Sequence, residues 1–515
     1  MMHRHTFRTA MAGSRSSPLE AVARAEAVGW KARADAKPVA LPQTPDDWTQ
    51  DPLSDRNWRF QLHSWRPLDD YIVAHDVTGD PAMLERAVRM IATWREAESR
   101  ANDDALFWND MGTGLRAAKL AYMISRLSSL PPQMREIIIA LGRSHLRRLR
   151  VEAFYSMSNH GLFQVYGLTA LSDVMPAAPE AEGGKAFAEQ MLERILASQF
   201  GQEGVHLEHS PGYHYFVILT LRKMMATGWY DAMPQVAAII DLAKTTFPWF
   251  VFPDGRISGA GDSDRNVPRF TPPNIKSVKA ALFQEAGYAV VRTDWAMKGE
   301  WRSMLLVTAG HHSHVHKHAD DLSFEFYDKG RFWIVDTGKY SYSKRDWREY
   351  TDSARAHNSV DLTPLRSDNG LGVAKPRGGA LTRADREGLG WVVEGLIDRP
   401  EIGARHSRRF YYVRRKSLTI EDHIQLADHR EVTAWLHLAP DLHAERSEDG
   451  WRFEGGSIAY GVSGASLDLV RVRAQTEPVI QGWMAESYHR IVANDALGAR
   501  LVGQDIKLTT TITLD

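Results

Sequence analysis

Apolar residues recur at helical spacing from Arg56 to about Ala286 and at alternate positions in short runs from Gly287 onward. The first period marks one face of a helix and the second one face of a strand. Helical runs open at Pro67 and at Asp80, where an aspartate stands in the N-cap position before Pro81 in the first turn. Further helices are expected over 112–127, 132–151, 160–174, 184–199, 213–226 and 233–246. Short polar connections at regular intervals point to a helical array and not to alternating strands and helices. Strands are expected over 288–292, 301–308, 390–396, 409–413, 417–421, 432–438, 466–472 and 507–514. Turn residues between them give the rhythm of an antiparallel β-sandwich. The chain therefore divides into an N-terminal extension (1–55, with a Pro-rich segment), a helical domain (56–286) and a β-sandwich domain (287–515).

One stretch, His311 to Asn358, holds an unusual density of chemistry. His311, His312, His314, His316 and His318 fall within eight residues. Leu322 to Tyr327 reads as a strand, Asp328-Lys329-Gly330 as a turn, and Arg331 to Asp336 as the returning strand of a hairpin. If the pleat extends back into the cluster, His314, His316 and His318 project from one face. Asp336 ends the second strand and His357 lies beyond the next turn. Nitrogen and carboxylate ligands from separate elements suit one borderline metal such as zinc. A solvated loop of histidines is the plainer alternative.

Composition narrows the function classes. The chain has 515 residues, 43% hydrophobic and 25% charged, and a formal net charge of -1. No global field recruits nucleic acid or an anionic membrane, so a polyanionic ligand would need a local basic groove. There is no cysteine, which removes disulfides and thiol chemistry. No run approaches the roughly eighteen uninterrupted apolar residues of a membrane span. The first residues carry early basic groups without an apolar region of secretory length, so a cytoplasmic location is expected.

Two motifs in the helical region could do chemistry. Ser158-Asn159-His160-Gly161 opens a helix, where unsatisfied N–H groups favour an anion. There the Asn159 amide can donate to a carboxylate and the His160 imidazole can take a proton; capping and packing is the bland account. In Glu208-His209-Ser210-Pro211-Gly212-Tyr213-His214, Pro-Gly forces a turn that can aim the Tyr213 hydroxyl. A simple helix start is the alternative there.

His316-Lys317-His318-Ala319-Asp320-Asp321, Val335-Asp336-Thr337-Gly338 and Ala356-His357-Asn358-Ser359, with the two helical motifs in the same order, resemble the heparinase II/III family of polysaccharide lyases. Lys317 stands where the family usually has a small residue. The resemblance covers about 56 to 490 and implies an (α/α) toroid followed by a β-sandwich. It implies that His316 lies at the active site and that His318, Asp336 and His357 hold one structural divalent metal, usually zinc. Asn159 would neutralise a uronate carboxylate, Tyr213 would transfer protons and His160 would serve as a base. Arg116, in a segment whose arginine faces the cleft in the family, is expected to bind substrate. Glu208 and Trp483, the latter at the rim with Tyr488, are expected to do the same.

The implied function is β-elimination on an acidic polysaccharide or oligosaccharide, by a monomer or homodimer. Three alternatives stay open. A glycoside hydrolase needs paired carboxylates, for which Asp103, Asp104 and Glu208 are available. A metal-dependent hydrolase would use the histidine cluster as an open site. A non-catalytic glycan-binding protein of exopolysaccharide metabolism would keep the fold alone.

Overall fold

The computed structural model describes residues 17–33, 36–101, 105–265, 267–268, 278–293, 295–310, 312–343, 346–362 and 379–515. His311, Asp103 and Asp104 lie outside the described residues. Two compact units emerge, Met1–Gln199 with Val217–Ile240, and Phe200–Phe216 with Asp241–Asp515. These units do not follow the expected boundary at 286/287. The segment carrying Glu208 and Tyr213 is helical-domain sequence by periodicity, yet it belongs to the same unit as the sheets.

The first unit is helical. Its helices are α1 (Pro18–Val28), α2 (Arg56–His63), α3 (Asp69–Thr78), α4 (Pro81–Arg100), α5 (Asp110–Ile124), α6 (Pro132–Leu149), α7 (Asn159–Val174) and α8 (Gly184–Gln199). Helix α9 (Pro211–Met225) and helix α10 (Pro234–Thr246) follow. Local chemistry sets the starts. The Asp80 carboxylate accepts from Ala82 N at 2.9 Å, with Pro81 in the first turn. Asn109 caps α5 by accepting from Gly112 N at 3.0 Å, which moves its start two residues before the apolar period begins. Helices α5 and α7 are buried almost all round, whereas α4 and α6 bury one side. The two buried helices touch through glycine. A Cβ at Gly167 would lie 2.5 Å from Gly114 O, and a Cβ at Gly114 would collide with Phe163 O.

The second unit is built on two antiparallel sheets. The smaller has the order β1 (Lys279–Phe283), β2 (Tyr288–Arg292), β3 (Met304–Thr308), β4 (Ser323–Asp328) and β5 (Arg331–Ile334). The strand β6 (Val360–Asp361) leads to the larger sheet. Its strands are β7 (Gly379–Glu387), β8 (Gly390–Arg399), β9 (Ala404–Val413), β10 (Ser417–His437), β11 (Glu445–Arg446), β12 (Gly450–Phe453) and β13 (Gly456–Val472). A hairpin of β14 (Trp483–Ser487) and β15 (Arg490–Ala493) precedes β16 (Ala496–Leu514), which pairs with β13 and β10.

The expected strands at 417–421 and 432–438 are one strand. Polar Asp428-His429-Arg430 sits at a register shift between Gln425 and Arg430, which breaks the alternation without ending the ladder. Inward residues of both sheets make one core: Val291, Leu305, Phe324 and Phe326 meet Phe410, Tyr412, Leu418 and Leu436. The small sheet is buried on its other face too, by Phe250, Phe252 and Val205. That double burial is why no residue of β2, β3 or β4 faces solvent, and why Glu325 on β4 needs polar partners inside the protein.

The hairpin β4–β5 forms as its sequence predicts, but the pleat does not reach back into the histidines. Residues 312–322 are turns and bends, and His316 has φ 56°. His314, His316 and His318 therefore do not share a strand face.

Candidate active site

The site in the second unit grows from three segments: 206–216, 258–265 and 312–357. The first and second are tied at the start of α9. Ser210 Oγ accepts from Tyr213 N at 3.2 Å and Ser263 Oγ accepts from Gly212 N at 3.0 Å, satisfying two amides the helix leaves open. The two hydroxyls meet at 2.8 Å. Gly261, at φ 57°, lies so close to the His209 and His316 backbones that a Cβ would meet His316 O at 2.8 Å. Glu325 on β4 fixes the same loop to the hairpin, accepting from Gly259 N at 3.0 Å and from Arg265, 2.7 Å away. His209 holds the third segment. Its Nδ1–H donates to Val315 O at 3.1 Å while Nε2 accepts from His312 N at 3.0 Å. This neutral tautomer agrees with burial, and with Lys317 nearby, pushing the His209 pKa down to about 3.

Asp262 is where the segments converge. It accepts from His316 Nδ1 at 3.0 Å through one oxygen and from His318 Nε2 at 3.0 Å through the other. Arg348, on the short helix α11 (Asp346–Asp352), donates to both oxygens and pairs with Asp352 at 2.9 Å. Burial alone would raise the Asp262 pKa, but Arg348, His316 and His318 together hold it well below the carboxylate range. Two of the three histidines that alternation would have aligned on a strand, His316 and His318, are thus gathered by one carboxylate.

The Tyr213 ring lies flat on the His316 ring, with centroids 3.5 Å apart and an angle of 16°. His316 Nε2 is 3.3 Å from Glu208 Oε2. Burial would lower the His316 pKa, yet its bonds to Asp262 and Glu208 raise it above the ordinary imidazole value. The Tyr213 hydroxyl bonds the Tyr342 hydroxyl at 2.6 Å, and Lys339 Nζ is 3.3 Å from Tyr342. Burial and the charges of Asp262, Asp264 and Glu208 push the Tyr213 pKa up, against a partial lowering by Tyr342, so its resting form is the neutral phenol.

The metal-ligating residues divide around His318. Ligand atoms of Asp262, His318 and Asp352 lie within 4.8 Å of one another and could hold a metal ion. Of the expected triad only His318 belongs to that group. Asp336 and His357 pair with each other, Nδ1–H to carboxylate, at 2.8 Å. The His318 and His357 rings are 5.3 Å apart. Since His318 gives its Nε2–H to Asp262 and His357 its Nδ1–H to Asp336, the lone pairs on His318 Nδ1 and His357 Nε2 remain, buried and without a partner.

Three expected substrate contacts are spent inside the protein. Arg116 is fully buried among Trp65, Trp94 and Trp108, and donates to His63 O at 2.8 Å and Phe107 O at 2.6 Å. Its guanidinium braces the helical core and has no face to offer a ligand. Glu208 is 5% exposed and backs His316. Trp483 gives its indole N–H to Gln475 O at 2.9 Å and packs edge-on to Trp347.

In the helical unit, Ser158 and not Asn159 caps α7, leaving Asn159 buried at the first helical position. His160 is 39% exposed, and its Nδ1–H donates to the Asp110 oxygens at 3.1 and 3.2 Å. Burial, which would raise the Asp110 pKa, is outweighed by His160 and by the Met111 amide, and the carboxyl is held below its ordinary value. Sequence reading assigned no role to Asp110, Asp262, Tyr342, Arg348 or Asp352. Only the Gly-rich run around Asp262 gave a local signal.

Residues 35–266 match Heparinase II/III N-terminus, and residues 276–504 match Heparinase II/III-like, C-terminal. The two matches together take in most of the chain, which belongs to the heparinase II/III family. A heparin-sulfate lyase of Bacteroides stercoris is 22% identical over 390 residues, covering 64% of this chain and a little over half, 57%, of that relative. Among solved structures, a heparinase III has a TM-score of 0.78 at 15% identity, covering 99% of this chain and 88% of its own. A heparan sulfate lyase from Pedobacter heparinus has a TM-score of 0.59 at 14% identity, covering 99% and 87%. At these identities the structural likeness is one of fold.

Proposed function

We propose that the chain is a polysaccharide lyase that cleaves the bond to a uronic acid in an acidic polysaccharide or oligosaccharide by β-elimination. The observation that carries the reading is the Tyr213–His316 stack, with its phenol bonded to Tyr342 and its imidazole held between Asp262 and Glu208. Family membership and the lyase activity named for the Bacteroides stercoris relative support it.

The chemistry follows from the uronate. Its C5 proton is weakly acidic because the adjacent carboxylate resists further negative charge. Donors that offset that charge stabilise the enolate-like transition state. Asn159 is assigned this role by the family pattern of its Asn-His pair. As H5 leaves, C4=C5 forms and the C4–O4 bond breaks, and O4 needs a proton. Tyr213, a neutral phenol at rest, supplies it. When H5 and O4 lie on the same face, the Tyr213 oxygen takes H5 as its own proton passes to O4, and the residue ends neutral. When they lie on opposite faces, His160 takes H5.

A structural zinc ion would be held by His318 and His357, together with Asp336, which accepts from the His357 Nδ1–H. Two buried imidazole lone pairs, each opposite an N–H given to a carboxylate, are the donor arrangement such a site uses. Asp262 and Asp352 are already neutralised by Arg348. When bound, such an ion would supply a cross-link between the hairpin and the His357 loop, and the proton transfers remain with Tyr213 and His160.

The test is a screen of uronate polymers for a product with the ultraviolet absorbance of a conjugated C4=C5 uronate. New reducing ends without that absorbance would establish hydrolysis and defeat the reading.

A further inference from the structure

Helix α6 ends in a run of arginines, and only two of them pair with a carboxylate. Arg143 and Arg147 pair with Glu180 at 3.0 and 2.8 Å, and Arg150 donates to Glu182 O. Arg148 is exposed, and among the described residues no Asp or Glu lies within ion-pair distance of it. Its guanidinium carbon is 4.7 Å from the Phe154 ring centroid and 5.8 Å from that of Trp108. Both rings are half-buried, and the Trp108 N–H is fixed by Glu98 at 2.8 Å. Two aromatic walls therefore hold a solvent-facing planar cation in place.

The position matters. Trp108 is two residues before Asp110, the partner of His160, and two residues of chain span at most about 7 Å. Phe154 is five residues before Asn159. The two rings that flank the guanidinium thus belong to the segments that lead into the Asp110–His160 pair and into Asn159. Its fork of donors matches a carboxylate or a sulfate, and ring faces beside it suit the C–H face of a pyranose. A chain of net charge -1 binds a polyanion only where such local charge is left unpaired.

We infer that Trp108, Arg148 and Phe154 form a subsite for an anionic substituent, carboxylate or sulfate, of a sugar of the substrate chain. The inference rests on the lyase reading for its place in the reaction, though not for its binding chemistry. The test compares wild type with Arg148→Ala, Arg148→Gln and Arg148→Lys. The ligands are a sulfated heparan sulfate hexasaccharide and an unsulfated uronate hexasaccharide of the same backbone. Calorimetric Kd and steady-state constants are measured for each. Loss of a charge-assisted contact should raise Kd and KM about 10- to 100-fold with kcat nearly unchanged, and Arg148→Lys should recover part of it. Loss confined to the sulfated ligand assigns the subsite to sulfate; equal loss on both assigns it to carboxylate. Unchanged Kd and KM for both ligands, in folded Arg148→Ala and Arg148→Gln, overturns the subsite. Absence of any unsaturated product from wild type instead refutes the lyase reading, and the Kd comparison still decides whether the subsite exists.

Discussion

The rings of Tyr213 and His316 lie face to face, 3.5 Å between centroids and 16° from parallel. Neither can turn alone. Asp262 and Glu208 hold the two nitrogens of His316, while Tyr342 meets the Tyr213 hydroxyl at 2.6 Å. The phenol oxygen is thereby fixed against a rigid imidazole, and this pre-set placement is what a proton-transfer group requires.

Tyr213→Phe keeps the stack and removes only the oxygen. Stability should stay within about 1 kcal/mol of wild type, the worth of one hydrogen bond, because Tyr342 keeps Lys339 as a partner. Turnover on the uronate polymer identified by the absorbance screen should fall at least about 100-fold. Thermal melts and initial rates decide it, and near-normal turnover in a folded variant removes Tyr213 from the mechanism.

Asp110→Asn tests the helical unit's pair. The asparagine oxygen can still accept from Met111 N, so the start of α5 should survive. What is lost is the carboxylate that keeps the proton on His160 Nδ1 and leaves Nε2 free to accept H5. On a substrate with H5 and O4 on opposite faces, kcat/KM should fall at least about 10-fold. A same-face substrate should be little affected. Equal loss on both would make Asp110 a structural residue only.

Much of this was legible in the sequence, for a local reason. Helix α8 and strand β2 fall where periodicity and flanking turn residues place them, and the β4–β5 hairpin follows from alternation around Asp328-Lys329-Gly330. The shared support of the site was not legible. Arg348 reaches Asp262 across 86 positions, and Tyr342 reaches Tyr213 across 129. No period or motif encodes such pairings, because they depend on how loops close. The histidine cluster shows the converse failure: alternation was extended into residues whose backbone turns. Arg116 shows another, since a motif position says nothing of whether tryptophans enclose it.

A buried cluster in the sandwich carries a pH prediction. Asp422 accepts from His406 at 2.6 Å and from Arg408 at 2.6 and 3.1 Å, while Arg408 also donates to Leu322 O and Asn358 O, tying the large sheet to the hairpin and the His357 loop. Burial would raise the Asp422 pKa, but Arg408 and His406 bring it down to about 2, from an ordinary 3.8. A folded-state pKa below the unfolded one adds stability that is complete above about pH 4 and lost as pH falls through about 2, a contribution on the order of 2 kcal/mol. Urea midpoints of wild type and Asp422→Asn should therefore differ most near neutrality and converge toward pH 2. A gap independent of pH over that window would show that Asp422 is not ionised in the folded protein.

The metal can be located by two variants on opposite sides of His318. If His318, Asp336 and His357 bind it, His357→Ala removes a ligand, and metal content and melting temperature should fall together, since a metal bound only by the folded state adds to its stability. Asp352→Asn, on the other side, should keep the metal, because Asp352 is already engaged by Arg348 at 2.9 Å and by His318 Nε2 at 3.2 Å. His316→Ala should keep both metal and fold while losing turnover, since His316 bonds Asp262 and Glu208 and stacks on Tyr213. Elemental analysis of the purified variants, beside melts with and without a chelator, separates the two ligand sets. Metal retained in His357→Ala and lost in Asp352→Asn would move the ion to Asp262, His318 and Asp352. That placement would put a cation directly behind His316, and the metal would then have to be counted among the groups that set the charge facing the substrate.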